Sequence, residues 1–141
     1  MGMRLGGWFW FFANDNVKFD RNKCGKWMCF FSDQQFAIEI CKKAVEQNAC
    51  FECKCSDLEV TGEQSGVICF YLEADDIDNH KRVIRFMIEN DLIRRTKTGK
   101  LYNIGFKFDS QTRAGEYGSD FKSEIKLEKF VDLNTGEWIY E

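Results

Sequence analysis

The residues best equipped for chemistry gather late in the chain, at Lys107, Asp109, Thr112, Arg113 and Tyr117. Two cations, a carboxylate, a hydroxyl and a phenol in one short stretch can hold a phosphoryl group, because charge-assisted hydrogen bonds favour it and a guanidinium can grip it with two donors. Asn103, Lys107 and Asp109 alternate with Tyr102, Ile104, Phe106 and Phe108. That period of two predicts a half-buried strand, one face in a core and the other, with the polar side chains, left for a ligand. After Asp109 the apolar pattern stops. Ser110, Thr112, Arg113, Gly115, Glu116, Tyr117 and Gly118 follow as a polar segment rich in hydrogen-bonding groups.

Other reactive groups give weaker patterns. His80 is the single histidine, near the predicted start of a helix and beside Asp75, Asp76 and Asp78, so it reads as a solvated residue next to a cap. Cys50, Cys53 and Cys55 offer a CxxC pair. On an extended strand, however, Cys53 and Cys55 share a face that Cys50 does not, and no second pair completes a tetrahedron, so the expectation is structural thiols and no metal. The run Arg94 to Lys100 is basic, but Thr98-Gly99-Lys100 lacks the upstream glycine and following helix of a phosphate loop. Trp8, Trp10 and Trp27 sit on early strands, where indoles either stack on a base or fill a core.

These side chains need a scaffold, and the periodicities predict one. Strands are expected over residues 8–13, 26–31, 50–56, 67–72 and 101–109, with Asn14-Asp15-Asn16 turning the chain after the first. A helix should follow a Ser32/Gln35 capping box and carry Phe36, Ala37, Ile40, Cys41, Ala44 and Val45 on one stripe. Acids between Glu73 and Asp78 announce a second helix, running to about Asp91 through Val83, Ile84 and Met87. Residues 57–66 read as a polar loop. Asn134-Thr135-Gly136 marks a turn between Phe130-Val131 and Trp138-Ile139 in a closing hairpin. The expected architecture is therefore α+β, a curved, mainly antiparallel sheet of six to eight strands with two helices packed on one face.

The totals agree with one domain over all 141 residues. The chain is 44% hydrophobic and 30% charged, contains no proline, and carries a net charge of −3, too acidic for a general nucleic-acid coat. The apolar run from Trp8 to Ala13 is too short to span a bilayer. Seven cysteines, an odd number, suggest thiols kept reduced in a cytoplasm.

Several of these pieces stand in one register. Gly25-Lys26-Trp27-Met28 with a following phenylalanine, Lys54-Cys55-Ser56, Val67-Ile68-Cys69-Phe70-Tyr71 with Asp75, and Lys107-x-Asp109-x-x-Thr112-x-x-Gly115-x-Tyr117 together resemble the uncharacterised family typified by the basophilic leukaemia expressed protein, over roughly residues 25–117. The chain departs from that pattern at Phe108, where proline is usual, and at Glu116, where an apolar residue is usual. The resemblance implies a fold like that of the translation-initiation cap-binding proteins, whose concave sheet face takes a nucleotide-like or phosphorylated small ligand. Trp27, Asn103, Lys107, Asp109, Thr112, Arg113 and Tyr117 are the expected ligand-binding residues, with no cofactor. Some relatives carry a phosphothreonine-lyase label, and in such an enzyme Lys54 or Lys107 would act as base, His80 as acid and Arg113 as phosphate ligand. Three functions follow as expectations. The first is non-catalytic binding, for instance sequestration of a signal nucleotide by a mobile-element protein. The second is phosphate elimination, and the third is docking on a nucleic-acid-handling protein partner as an inhibitor or adaptor.

Overall fold

The computed structural model describes residues 2–13, 19, 23–109 and 125–139. The expected turn at Asn14-Asp15-Asn16 and the segment with Thr112, Arg113 and Tyr117 lie outside these residues. In chain order the elements are β1 (Gly2–Leu5), β2 (Trp8–Phe12), β3 (Cys24–Phe31), α1 (Gln34–Glu46), β4 (Glu52–Ser56), α2 (Leu58–Thr61), β5 (Gly66–Glu73), α3 (Ile77–Glu89) and β6 (Lys107–Phe108). The fold is α+β. Its strands make one open sheet in the order β1-β2-β4-β5-β3-β6, and every pairing is antiparallel.

The sheet has two unlike faces because successive strand residues point to opposite sides. Phe11, Trp27, Cys29, Phe31, Cys53, Cys55, Ile68, Phe70 and Leu72 point one way and form the main core with Ala37, Ile40, Cys41 and Ala44 of α1 and Val83, Ile84 and Met87 of α3. The α1 stripe is the one its spacing predicts. Its cap differs by one residue: Asp33, not Ser32, accepts from the backbone N–H groups of Gln35 and Phe36, and Gln35 instead bonds Glu39. An aspartate placed there also brings a negative charge to the positive end of the helix. Asp76 caps α3 in the same way, accepting from Asn79 N–H at 3.2 Å.

Four expectations are corrected. A hairpin precedes the first predicted strand: Gly6 and Gly7, at φ 63° and 85°, make the two-residue turn that folds β1 onto β2. The loop after Asp57 contains α2, closed by Gly62 in the left-handed region. The strand predicted over 101–109 shrinks to the two residues of β6. Upstream of it the chain turns away from β3 to bridge Gly105 to Lys126, and burial does not follow the alternation there, since Leu101 is buried and Tyr102 exposed. The closing hairpin keeps its turn at Asn134, where Asp132 accepts from Asn134 N–H, but pairs only through an isolated bridge between Val131 and Trp138 beside a 3-10 turn at Leu127–Lys129.

β3 and β6 approach closely at Gly25. A methyl group there would meet the Phe106 ring at 2.5 Å and the Lys107 carbonyl at 2.6 Å, so only glycine lets β6 lie against β3.

His80 is fully buried, against the expectation of a solvated helix residue. Trp27 Nε1–H donates to its Nδ1 at 3.0 Å, and since an indole can only donate, the ring proton sits on Nε2 and is given to the Ala74 carbonyl at 2.8 Å. Phe106 and Phe130 pack on the ring. Burial is the main cause that holds the His80 pKa below the usual 6.5. The unfolded chain then binds the proton more readily, so stability is full above pH 6.5 and falls as the medium is acidified through that value. Chemical denaturation at pH 7.5 and 5.5 should show this loss in the wild type and a smaller one in His80→Gln. Trp27→Phe, which strands the Nδ1 acceptor, should cost about 1–3 kcal/mol at either pH.

Candidate functional site

The face opposite α1 and α3 holds a layer of lysines and aromatic rings. Cross-strand partners share a face, so the register places Lys107 beside Lys26, Lys26 beside Tyr71, Tyr71 beside Glu52, and Lys54 between Trp10 and Cys69. Trp8, Phe19 and Met28 pack around the small cluster of Cys24, Cys69 and Tyr71 on this side.

Lys54 stands within a set of three rings. Its Nζ lies 3.8 Å from the centroid of Trp8, 4.6 Å from Trp10 and 5.6 Å from Tyr71. Trp10 in turn stacks with Tyr71 and with Phe12, each at 6.3 Å between centroids. Ring faces are electron-rich and stabilise an ammonium by about 0.5–2 kcal/mol per good contact. Burial acts against the charge and is the first cause that lowers the Lys54 pKa below 10.5.

Lys26 meets its counter-charge directly. Its Nζ is 2.8 Å from Asp109 Oδ1 while the lysine side chain is only 9% exposed, and the Tyr71 ring lies 5.7 Å away. Lys107, only 6% exposed, extends the row that runs Tyr71, Lys26, Lys107 across β5, β3 and β6, while Lys54 stands one pair further along, opposite Cys69. Glu52 lies in the same row, its pKa raised by burial and then by Asp109. The thiols here are kept protonated: burial raises Cys24 to about 12 and Cys69 to about 11, which leaves little thiolate for nucleophilic work at neutral pH. Tyr71 is likewise held neutral by burial. The arrangement can neutralise an anion and offer flat apolar surface beside it.

The structure brings together only part of the set read from the sequence. Lys107, Asp109 and Lys54 share the face. Trp27 does not: it is fully buried among Phe106, Phe130 and His80 on the helix side, so it cannot touch a ligand on this face. Asn103 lies apart as well, its Oδ1 accepting from Glu128 N–H at 2.9 Å and so tying the 3-10 turn to the strand approach. Thr112, Arg113 and Tyr117 fall outside the described residues. The groups a lyase would need are divided, because His80 lies across the sheet from Lys54 and Lys107 with both ring nitrogens engaged. Among the described residues no three His, Cys, Asp or Glu side chains are placed to hold a metal ion.

Sequence reasoning missed Lys26, Glu52 and Tyr71, and left Trp8 and Trp10 undecided between core and surface. One signal was present. Lys26 and Trp27 are neighbours in a strand, so one had to be the core residue and the other the surface one, and charge alone favours Lys26 for the surface.

Asp109→Asn removes the negative partner of a cation that stays enclosed. It should destabilise the fold by about 2–3 kcal/mol, somewhat below the range for a fully buried pair because the carboxylate retains some water. The double variant Lys26→Met/Asp109→Asn should recover most of that loss, and urea midpoints for the wild type, Lys26→Met, Asp109→Asn and the double variant measure the coupling. This surface is defined by geometry alone: the chain matches no family model and no curated protein.

Proposed function

We propose that the face opposite the two long helices binds a phosphorylated, nucleotide-like small molecule and holds it without turnover. The observation that carries this reading is the juxtaposition of Lys54 with Trp8, Trp10 and Tyr71 beside the Lys26–Asp109 pair and Lys107. An anionic phosphate is drawn to the ammonium groups of this face, and a planar base has indole surface next to it. Stacking on an aromatic side chain is worth about 1–3 kcal/mol per base and tolerates any base. A charge-assisted hydrogen bond to phosphate adds about 1.5–3 kcal/mol.

The resemblance over residues 25–117 supports the same kind of ligand. Its motif residues Lys26, Lys54, Tyr71, Lys107 and Asp109 meet on this one face although they come from four strands and the residue after β6. Retention without chemistry suits the protonated thiols and the engaged imidazole. Sequestering a signal nucleotide is a role such a binder would fill.

A thermal-shift panel of mononucleotides, cyclic nucleotides and inorganic phosphate tests the reading. A true ligand at about 100 times its Kd stabilises the native state by about 2.7 kcal/mol and raises the melting temperature accordingly. Lys54→Ala should weaken that ligand about tenfold to a hundredfold, and Trp8→Ala to a similar extent. The lowered Lys54 pKa gives a further signature: affinity falls with rising pH before ordinary lysines titrate, since deprotonation removes the attraction for the anion. Mass spectrometry of the recovered ligand should show it intact. Loss of phosphate from a phosphothreonine peptide would instead establish the eliminating enzyme, and a panel without any shift would remove the small-molecule site.

A further inference from the structure

β3 is eight residues long, yet β6 pairs with only its Gly25 and Lys26. β5 pairs along the whole of its inner edge, whereas from Trp27 to Phe31 the outer edge meets no strand among the described residues. Alternate residues of an antiparallel strand direct N–H and C=O away from the partner, so this stretch is a template for an added strand.

The chain leading into β6 leaves β3 here. Leu127 N–H donates to the Ile104 carbonyl at 2.9 Å, and Gly105 bridges Lys126, which pulls residues 102–105 outward. The separation opens a recess of about 270 Å3 lined by Met28, Phe30, Leu92, Ile93, Tyr102 and Ile104. A second recess of about 290 Å3 shares Phe30 and Ile93 with it and reaches Phe36, and a third of about 370 Å3 shares Tyr102 and Ile104 and reaches Leu133. Large apolar side chains stand in the open along it, Phe30 at 65% exposure and Tyr102 at 45%.

The mouth of the groove is positive. Arg94 lies over the Phe30 ring at 5.8 Å, and Arg95, Lys97 and Lys100 follow in the adjoining turn. Among the described residues no carboxylate pairs with any of these four cations, and Asp91 is the one acid lining these recesses.

We propose that this groove docks an extended segment of a partner protein, paired along the outer edge of β3, with apolar side chains at alternate positions and Asp or Glu beside them. Three neighbouring recesses with shared lining residues suit a chain rather than one compact molecule. The cations select acidic flanks. A second copy is a poorer occupant, because the strand this protein exposes at its opposite edge, Gly2–Leu5, contributes an arginine and no acid.

The test is selection of a random-peptide display library on the full chain, followed by fluorescence anisotropy with a synthetic peptide of the enriched sequence. The expected result is enrichment of alternating apolar residues flanked by acids, with affinity that falls as salt screens the charges. Phe30→Ala and Arg94→Glu, both at exposed positions, should each weaken the peptide about tenfold or more, while Lys54→Ala leaves it unchanged. No enrichment, enrichment of basic peptides, or affinity indifferent to Phe30→Ala and Arg94→Glu would overturn the proposal. So would light scattering that finds a dimer of this chain abolished by Arg94→Glu, since the occupant would then be a second copy.

Discussion

Lys26 and Trp27 are adjacent in β3 and lie on opposite sides of the sheet, and most of the molecule is arranged around that fact. Trp27 is at the centre of the helix-side core, its indole N–H consumed by His80 and its ring flanked by Phe106 and Phe130. Lys26, one residue earlier, must emerge on the other face, where Asp109 and the Tyr71 ring receive it. A strand cannot slip by one residue without exchanging the two, which would bury an ammonium among phenylalanines and expose the tryptophan. The register of β3 is therefore held from both faces at once.

The two faces solve different energetic problems. On the helix side, apolar area leaves water, and the one titratable ring is kept neutral with both nitrogens bonded. On the far side, cations are enclosed, which is costly unless each has a partner. The partners are of two kinds: a carboxylate for Lys26 and aromatic faces for Lys54. Aromatic faces stabilise the charge without cancelling it. Lys54 thus remains able to attract an anion, which a lysine in a tight ion pair does far less well, and this distinction directs attention to Lys54 among the lysines of this face.

The same sheet explains why a second surface exists at its edge. Gly25 permits β6 to press against β3, but only for two residues, because the chain before it is drawn off to the segment after Ile125. A short last strand leaves the rest of β3 with outward backbone groups and leaves Phe30 uncovered. Natural sheets commonly blunt such edges with charge, and the cations at Arg94 and Arg95 also discourage pairing with any strand that is not acidic. Edge and face adjoin at Met28, which packs beside Cys69 on the face and lines the recess at the edge.

Much of this was legible in the chain itself. Short apolar runs placed β2, β3 and β5, the apolar stripes placed α1 and α3, and the α+β class followed, because run length and a period of 3.6 are written locally. Lys107 and Asp109 could be put on one and the same side of the sheet from their spacing alone. Local pattern could not reveal that β6 would be two residues long, nor that Asn103 would be used to tie down a turn, since both depend on contacts with residues beyond 125. The charge of Lys26 hinted that its neighbour Trp27 belonged to the core, but no such local sign put Trp8 and Trp10 on the other face. The strand order β2-β4-β5-β3 settles that, by setting Trp10 beside Lys54 and Trp27 beside Phe70. The sequence by itself determined which residues alternate and which coil. Only the tertiary structure decided which of the alternating faces meet, because a strand carries the parity of its own side chains but not the register of the neighbour that completes them.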